Sequence, residues 1–134
     1  MKRTAITTTA AGLLTLALLG GGAGAAQAKG GHDREVRTSG HCSAATVWKL
    51  KAKHDDGRIE VEVEVDSNRN GQRWSVAIAD NGVRVFTGAR TTHAPSGSFE
   101  VERRIADRSG TDRITVLARN AATGERCYGR VSLS

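Results

Sequence analysis

The sequence predicts an all-β chain, an antiparallel β-sandwich of seven or eight strands closed by one disulfide. Three observations carry this expectation. Apolar and polar side chains alternate with a period of two through most segments beyond residue 46, and no stretch holds a helical period. Strong turn pairs, Asp56-Gly57 and Asn81-Gly82, punctuate the alternation. The only two cysteines, Cys42 and Cys127, stand near the two ends of the patterned region. An up-and-down β-barrel is the alternative. The sandwich is preferred because Thr91 to Gly97, which holds the only proline, suits a crossing between sheets, whereas a continuous barrel needs tight hairpins throughout.

The chain opens with the parts of a secretory signal. Lys2 and Arg3 supply positive charge, Ala10 to Leu19 an apolar stretch, and Ala26-Gln27-Ala28 a cleavage site. Gly20-Gly21-Gly22 ends that stretch before the roughly 20 apolar residues a membrane span needs. Residues 1–28 are therefore expected to be a removed signal peptide, residues 29–35 a flexible polar tail, and residues 36–134 one domain, secreted and without a membrane anchor. Export places Cys42 and Cys127 in an oxidising compartment, where they are expected to pair. The rival use of these cysteines, a metal site with His41 and His54, lacks a second ligand at close spacing.

The strands follow in order. Val36 to Cys42 is a weak first strand, interrupted by Ser39 and Gly40. In the next run Trp48, Leu50 and Ala52 share one face and Lys49, Lys51 and Lys53 the other. In the run after that Ile59, Val61, Val63 and Val65 point inward and Glu60, Glu62 and Glu64 outward. An Asp56-Gly57 hairpin turn sets Lys53 against Glu60, Lys51 against Glu62, Lys49 against Glu64 and Leu50 against Val63. Slipping that register by one residue would set lysines against valines. Trp74, Val76 and Ile78 form the next inward stripe, and Asn81-Gly82 turns the chain into Val83-Arg84-Val85-Phe86. Phe99-Glu100-Val101-Glu102 alternates again, and Arg108-Ser109-Gly110 turns. The inward stripe Ile114, Val116 and Ala118 leads through Ala122-Thr123-Gly124 to Cys127, Gly129, Val131 and Leu133.

From about Trp48 to Leu133 the chain resembles an immunoglobulin or fibronectin type III-like module. The marks are Trp74 before the Asp80-Asn81-Gly82 turn, Gly97-Ser98-Phe99-Glu100-Val101, and Asp112-Arg113-Ile114-Thr115-Val116. The cysteines depart from the immunoglobulin pattern, joining outer strands rather than the two central ones. With Trp48-Lys49-Leu50-Lys51-Ala52-Lys53 and Asp66-Ser67-Asn68, and an arginine, alanine and glycine bias fitting a GC-rich genome, the chain also resembles small secreted actinobacterial proteins of unknown function. That likeness implies export and little about activity.

The resemblance puts the strands of Trp74, Phe86, Ile114 and Cys127 in one sheet. Alternation then gives that sheet an outward set of Arg73, Arg84, Arg113, Arg119, Arg126 and Arg130, with Phe86, Leu117 and Tyr128 among them and no acidic residue. The other sheet, with its lysine–glutamate ladder plus Glu100, Glu102 and Arg104, is nearly balanced. The formal net charge of +6, lowered by two on loss of Lys2 and Arg3, is thus expected to sit on one side. Arginines beside aromatics suit phosphate, sulfate or carboxylate groups. The expected partner is an anionic cell-wall polymer, nucleic acid or acidic protein, held without catalysis.

Two rivals stand beside this. Asp66-Ser67-Asn68-Arg69-Asn70-Gly71 matches the start of a calcium loop, with Asp66, Asn68 and Asn70 as ligands, but Ala77 stands where the loop's bidentate glutamate belongs. The competing expectation is an Asn70-Gly71 hairpin turn pairing Val65 with Val76 and Val63 with Ile78. A small hydrolase or protease inhibitor would use His93, Ser96 and Ser98 or the Thr91 to Gly97 loop, and no acid, base and oxyanion group can be named together. No cofactor is expected, calcium being the only alternative.

Overall fold

The computed structural model describes residues 35–134; the expected signal peptide and all but the last residue of the tail lie outside these residues. Eight strands follow one another: β1 (Glu35–His41), β2 (Val47–Asp55), β3 (Arg58–Asp66), β4 (Arg73–Asp80), β5 (Val83–Thr91), β6 (Ser98–Ala106), β7 (Asp112–Asn120) and β8 (Arg126–Leu133). They form two four-stranded antiparallel sheets, ordered β1-β2-β3-β6 and β5-β4-β7-β8. Two separate sheets, rather than one closed one, make a sandwich and not a barrel. The inward stripes of both sheets meet in a core of valine, isoleucine and leucine around Trp48, Trp74 and Phe99.

The β2–β3 hairpin has the expected register, with Lys49 opposite Glu64, Lys51 opposite Glu62 and Lys53 opposite Glu60. Those pairs form ion pairs at 3.6, 2.5 and 3.3 Å. The Glu62 carboxylate holds the Lys51 ammonium above its ordinary pKa. Asp56 and Gly57 both have positive φ (47° and 73°), as a type I′ turn requires. Gly57→Ala is therefore expected to cost about 1 kcal/mol in urea unfolding, and an unchanged midpoint would disprove that turn.

The expected Asn70-Gly71 hairpin does not form. Val65 lies between Trp48 and Phe99, and Val76 between Gly88 and Ala118. Both edges of β3 are occupied, by β2 and β6, so none is left for β4. Residues 67–72 instead cross between sheets against the 92–97 connector, which also crosses as expected. Gly71 donates its N–H to the Thr92 carbonyl at 2.7 Å, and Ser67 donates to that of Gly97 at 3.0 Å. A Cβ on Gly97 would fall 2.3 Å from the Arg69 nitrogen, so only glycine admits this contact.

The first strand, Glu35–His41, lies one residue earlier than the expected Val36 to Cys42. Gly40 is explained by its cross-strand neighbour: Trp48 lies against it, and a Cβ there would fall 2.8 Å from Cζ2 of that ring. At this seam of the sandwich β1 and β8 are the edge strands, and Cys42 and Cys127 are bonded across it. The bond uses both thiols and removes the metal reading of these cysteines. Glu125 reinforces the seam by accepting the Ala44 and Thr46 amides at 2.9 and 3.1 Å and the Thr46 hydroxyl at 2.5 Å.

Two carboxylic acids share the inward stripes with apolar residues. Asp80 ends β4 and Asp112 opens β7, both wholly buried. Burial, and then the Asp80 carboxyl beside it, push Asp112 up to about 6.

Candidate anion-binding face

The outer face of the β5-β4-β7-β8 sheet is set by period-two alternation against the core. Since Trp74, Val76 and Ile78 go in, Arg73, Ser75, Ala77 and Ala79 go out; since Ile114, Val116 and Ala118 go in, Arg113, Thr115, Leu117 and Arg119 go out. On β8 the same rule exposes Arg126, Tyr128 and Arg130. Arg84 on β5 pairs with Ala79 and joins this face.

Register arranges these residues in rungs across the sheet. One rung reads Ala89, Ser75, Arg119, Arg126; the next Thr87, Ala77, Leu117, Tyr128; the next Arg84, Ala79, Thr115, Arg130. Two arginine rungs thus lie roughly 14 Å apart, flanking a rung that carries exposed Leu117 and Tyr128. Arg113 and Arg73 extend the charge to the two ends of the sheet, opposite Ser132 and Thr91. The floor near β4 is alanine, serine and threonine. A shallow depression of about 380 Å³ lies on it, lined in part by Arg84, Thr87, Ala77, Leu117 and Arg119.

The electrostatics are one-sided. No acidic residue is outward on these four strands, and none of the six arginines takes part in an ion pair among the described residues. Arg119 and Arg126 stand directly opposite each other, a like-charge cross-strand pair that disfavours the fold unless an anion comes between them. The other sheet carries an acidic patch instead. Carboxylate oxygens of Glu62, Glu100 and Glu102 lie within 4.8 Å of one another. Partial burial, then Glu62, Glu102 and Glu64, raise the Glu100 pKa.

Phe86 corrects the expected face. A β-bulge between Ile78 and Ala79 leaves Val85 unpaired and sets Phe86 opposite Ile78, so its ring turns to the core side. There it sits at the open β5/β6 seam, with Arg103 and Arg90 guanidinium carbons 4.7 and 5.5 Å from its centroid. Neither arginine figured in the sequence-based site. Arg103 was visible as the third member of the inward stripe Phe99, Val101, Arg103, Ile105; Arg90 was hidden by the bulge.

The remaining candidates are dispersed. Asp66 ends β3, and its Oδ1 accepts the Asn68 N–H at 2.9 Å in a local turn (Asn68 φ 56°), while Asn68 and Asn70 are exposed. Ser96 and Ser98 hydroxyls bond each other at 2.6 Å, and His93 Nδ1 lies 3.1 Å from the Ala94 carbonyl. No hydrogen bond joins those serines to an imidazole among the described residues. The arginine face is the one place where the expected residues, Arg73, Arg84, Arg113, Arg119, Tyr128 and Arg130, come together. Comparison with protein-family models, curated proteins and solved structures gives no match.

Proposed function

We propose that this protein is an exported binding module that holds an anionic extracellular partner on the outer face of the β5-β4-β7-β8 sheet. One observation carries the reading: six outward arginines on four strands with no carboxylate among them. A guanidinium fork matches phosphate or carboxylate oxygens two at a time, and the bare rungs leave those donors free. The signal-like first 28 residues and the disulfide support export. The strand order, with chain crossings at β3–β4, β5–β6 and β6–β7, supports an immunoglobulin-like sandwich with β1 as an added edge strand. The arginine, alanine and glycine bias supports an actinobacterial source.

The test is retention on an immobilised linear polyphosphate. Affinity is expected to fall steeply with salt, with a log–log slope of about −0.7 for each phosphate contacted, as for single strands. Reversing Arg84 and Arg113, which face Ala79 and Ser132, to Glu should weaken binding on the order of 100-fold with an unchanged melting curve. Salt-independent retention, or equal binding by the double variant, would remove the proposal.

A further inference from the structure

The arginine face is not uniformly polar. Of the three large apolar side chains exposed among the described residues, two lie on it. These are Leu117 and Tyr128, directly opposite each other across β7 and β8, the tyrosine 60 % exposed.

Alternation places this pair in the middle of the charge. On β8, Arg126, Tyr128 and Arg130 follow one another on the outer side, about 7 Å from one to the next. On β7, Arg113, Leu117 and Arg119 share the same side. The depression of about 380 Å³ has Arg84 and Arg119 in its wall, with Ala77 and Leu117 beside them.

A partner that is only a chain of charges would leave the middle rung uncovered. Phosphate groups satisfy the guanidinium forks, but they bring nothing to bury against a phenol ring and a leucine side chain. An exposed apolar pair inside a field of one sign fits a polymer that carries planar groups between its anions. A nucleic acid strand is such a polymer. Its phosphodiesters follow the arginines, and any base offers a π-face to Tyr128. The strand has to be single, because in a duplex the bases are stacked on one another and cannot lie on a flat sheet.

We propose that the outer face of the β5-β4-β7-β8 sheet binds single-stranded nucleic acid. Tyr128 and Leu117 form the base platform, and Arg84, Arg119, Arg126 and Arg130 hold the backbone. This partner rests on the anion-binding reading of the same face and narrows it. A phosphate of the strand also supplies the anion that the like-charged Arg119–Arg126 pair lacks. Contacts to phosphates and stacking carry no base code, so binding is indifferent to sequence.

The experiment is fluorescence anisotropy of the full chain with a labelled oligothymidylate, an abasic strand of the same length and charge, and a duplex. The oligothymidylate is expected to bind on the order of tenfold more tightly than the abasic strand. Tyr128→Ala should remove that advantage and leave abasic-strand and duplex binding as they were. Tyr128→Phe, which keeps the ring, should keep the advantage. Equal binding of the oligothymidylate and the abasic strand would overturn the proposal; with retention on polyphosphate intact, the anion-binding reading would stand without it. Loss of retention as well would remove both. Tyr128→Ala weakening the duplex as much as the single strand would also overturn it. So would a sulfated glycan of equal charge that binds more tightly than the oligothymidylate and loses that margin in Tyr128→Ala, by placing a sugar on the ring.

Discussion

Replacing Cys42 and Cys127 with alanine should lower the free energy of unfolding by about 4 kcal/mol, and the melting temperature by roughly 15–30 °C. The bonded residues are 85 apart in sequence, so the link removes a large loop-closure entropy from the unfolded chain. It also joins the edge strands of two different sheets, which no backbone hydrogen-bond ladder can do. A single small domain has a total stability of about 5–15 kcal/mol, so the loss is a large share. The folded variant should keep its topology, because Glu125 still clamps the β1–β2 loop and Ser43 and Arg126 still exchange hydrogen bonds. Chemical denaturation under non-reducing conditions measures the difference. A loss below about 1 kcal/mol would mean that packing alone closes the seam.

Enlarging Gly129 should also destabilise the protein, by overfilling the same seam. A Cβ at that position would fall 2.6 Å from Cζ3 of Trp48, an indole that is only 7 % exposed and is confined on its other side by Gly40. The ring is wedged between two backbones, and close-packed interiors give way only at a cost. Gly129→Ala is expected to destabilise by about 1–3 kcal/mol, and Trp48→Ala by about 3–5 kcal/mol. In the double variant the clash is gone, so its loss should fall short of the sum by at least about 1 kcal/mol. Strict additivity in urea titrations would show that the glycine serves some other need.

Much of this architecture was legible because alternation and turn chemistry are local. Asp56-Gly57 and Asn81-Gly82 adopt the positive φ pairs that their residues permit, and the lysine–glutamate ladder follows from the first of them. The outward arginines were legible for the same reason, since neighbours two apart share a face. Asn70-Gly71 misled because a turn pair says how the chain can bend, not whether the next strand finds a free edge. Phe86 misled because one bulged residue inverts every facing beyond it, and nothing in Val83-Arg84-Val85-Phe86 announces the bulge. Asp80 lay in plain view on an inward stripe, but in Asp80-Asn81-Gly82 it read as a turn residue, and Asp112 stood only as a mark of the resemblance.

Taken by itself, the order of residues determined the all-β class, the succession of strands along the chain, the β2–β3 register and the pairing of Cys42 with Cys127. Each rests on contacts between near neighbours or on there being only two thiols to join. Only the tertiary structure decided which strands share a sheet, which seam Trp48 and the disulfide close, where Phe86 turns, and that Asp80 meets Asp112. Those outcomes depend on which edges and volumes remain once distant segments have packed, and a pattern with a period of two carries no record of that competition.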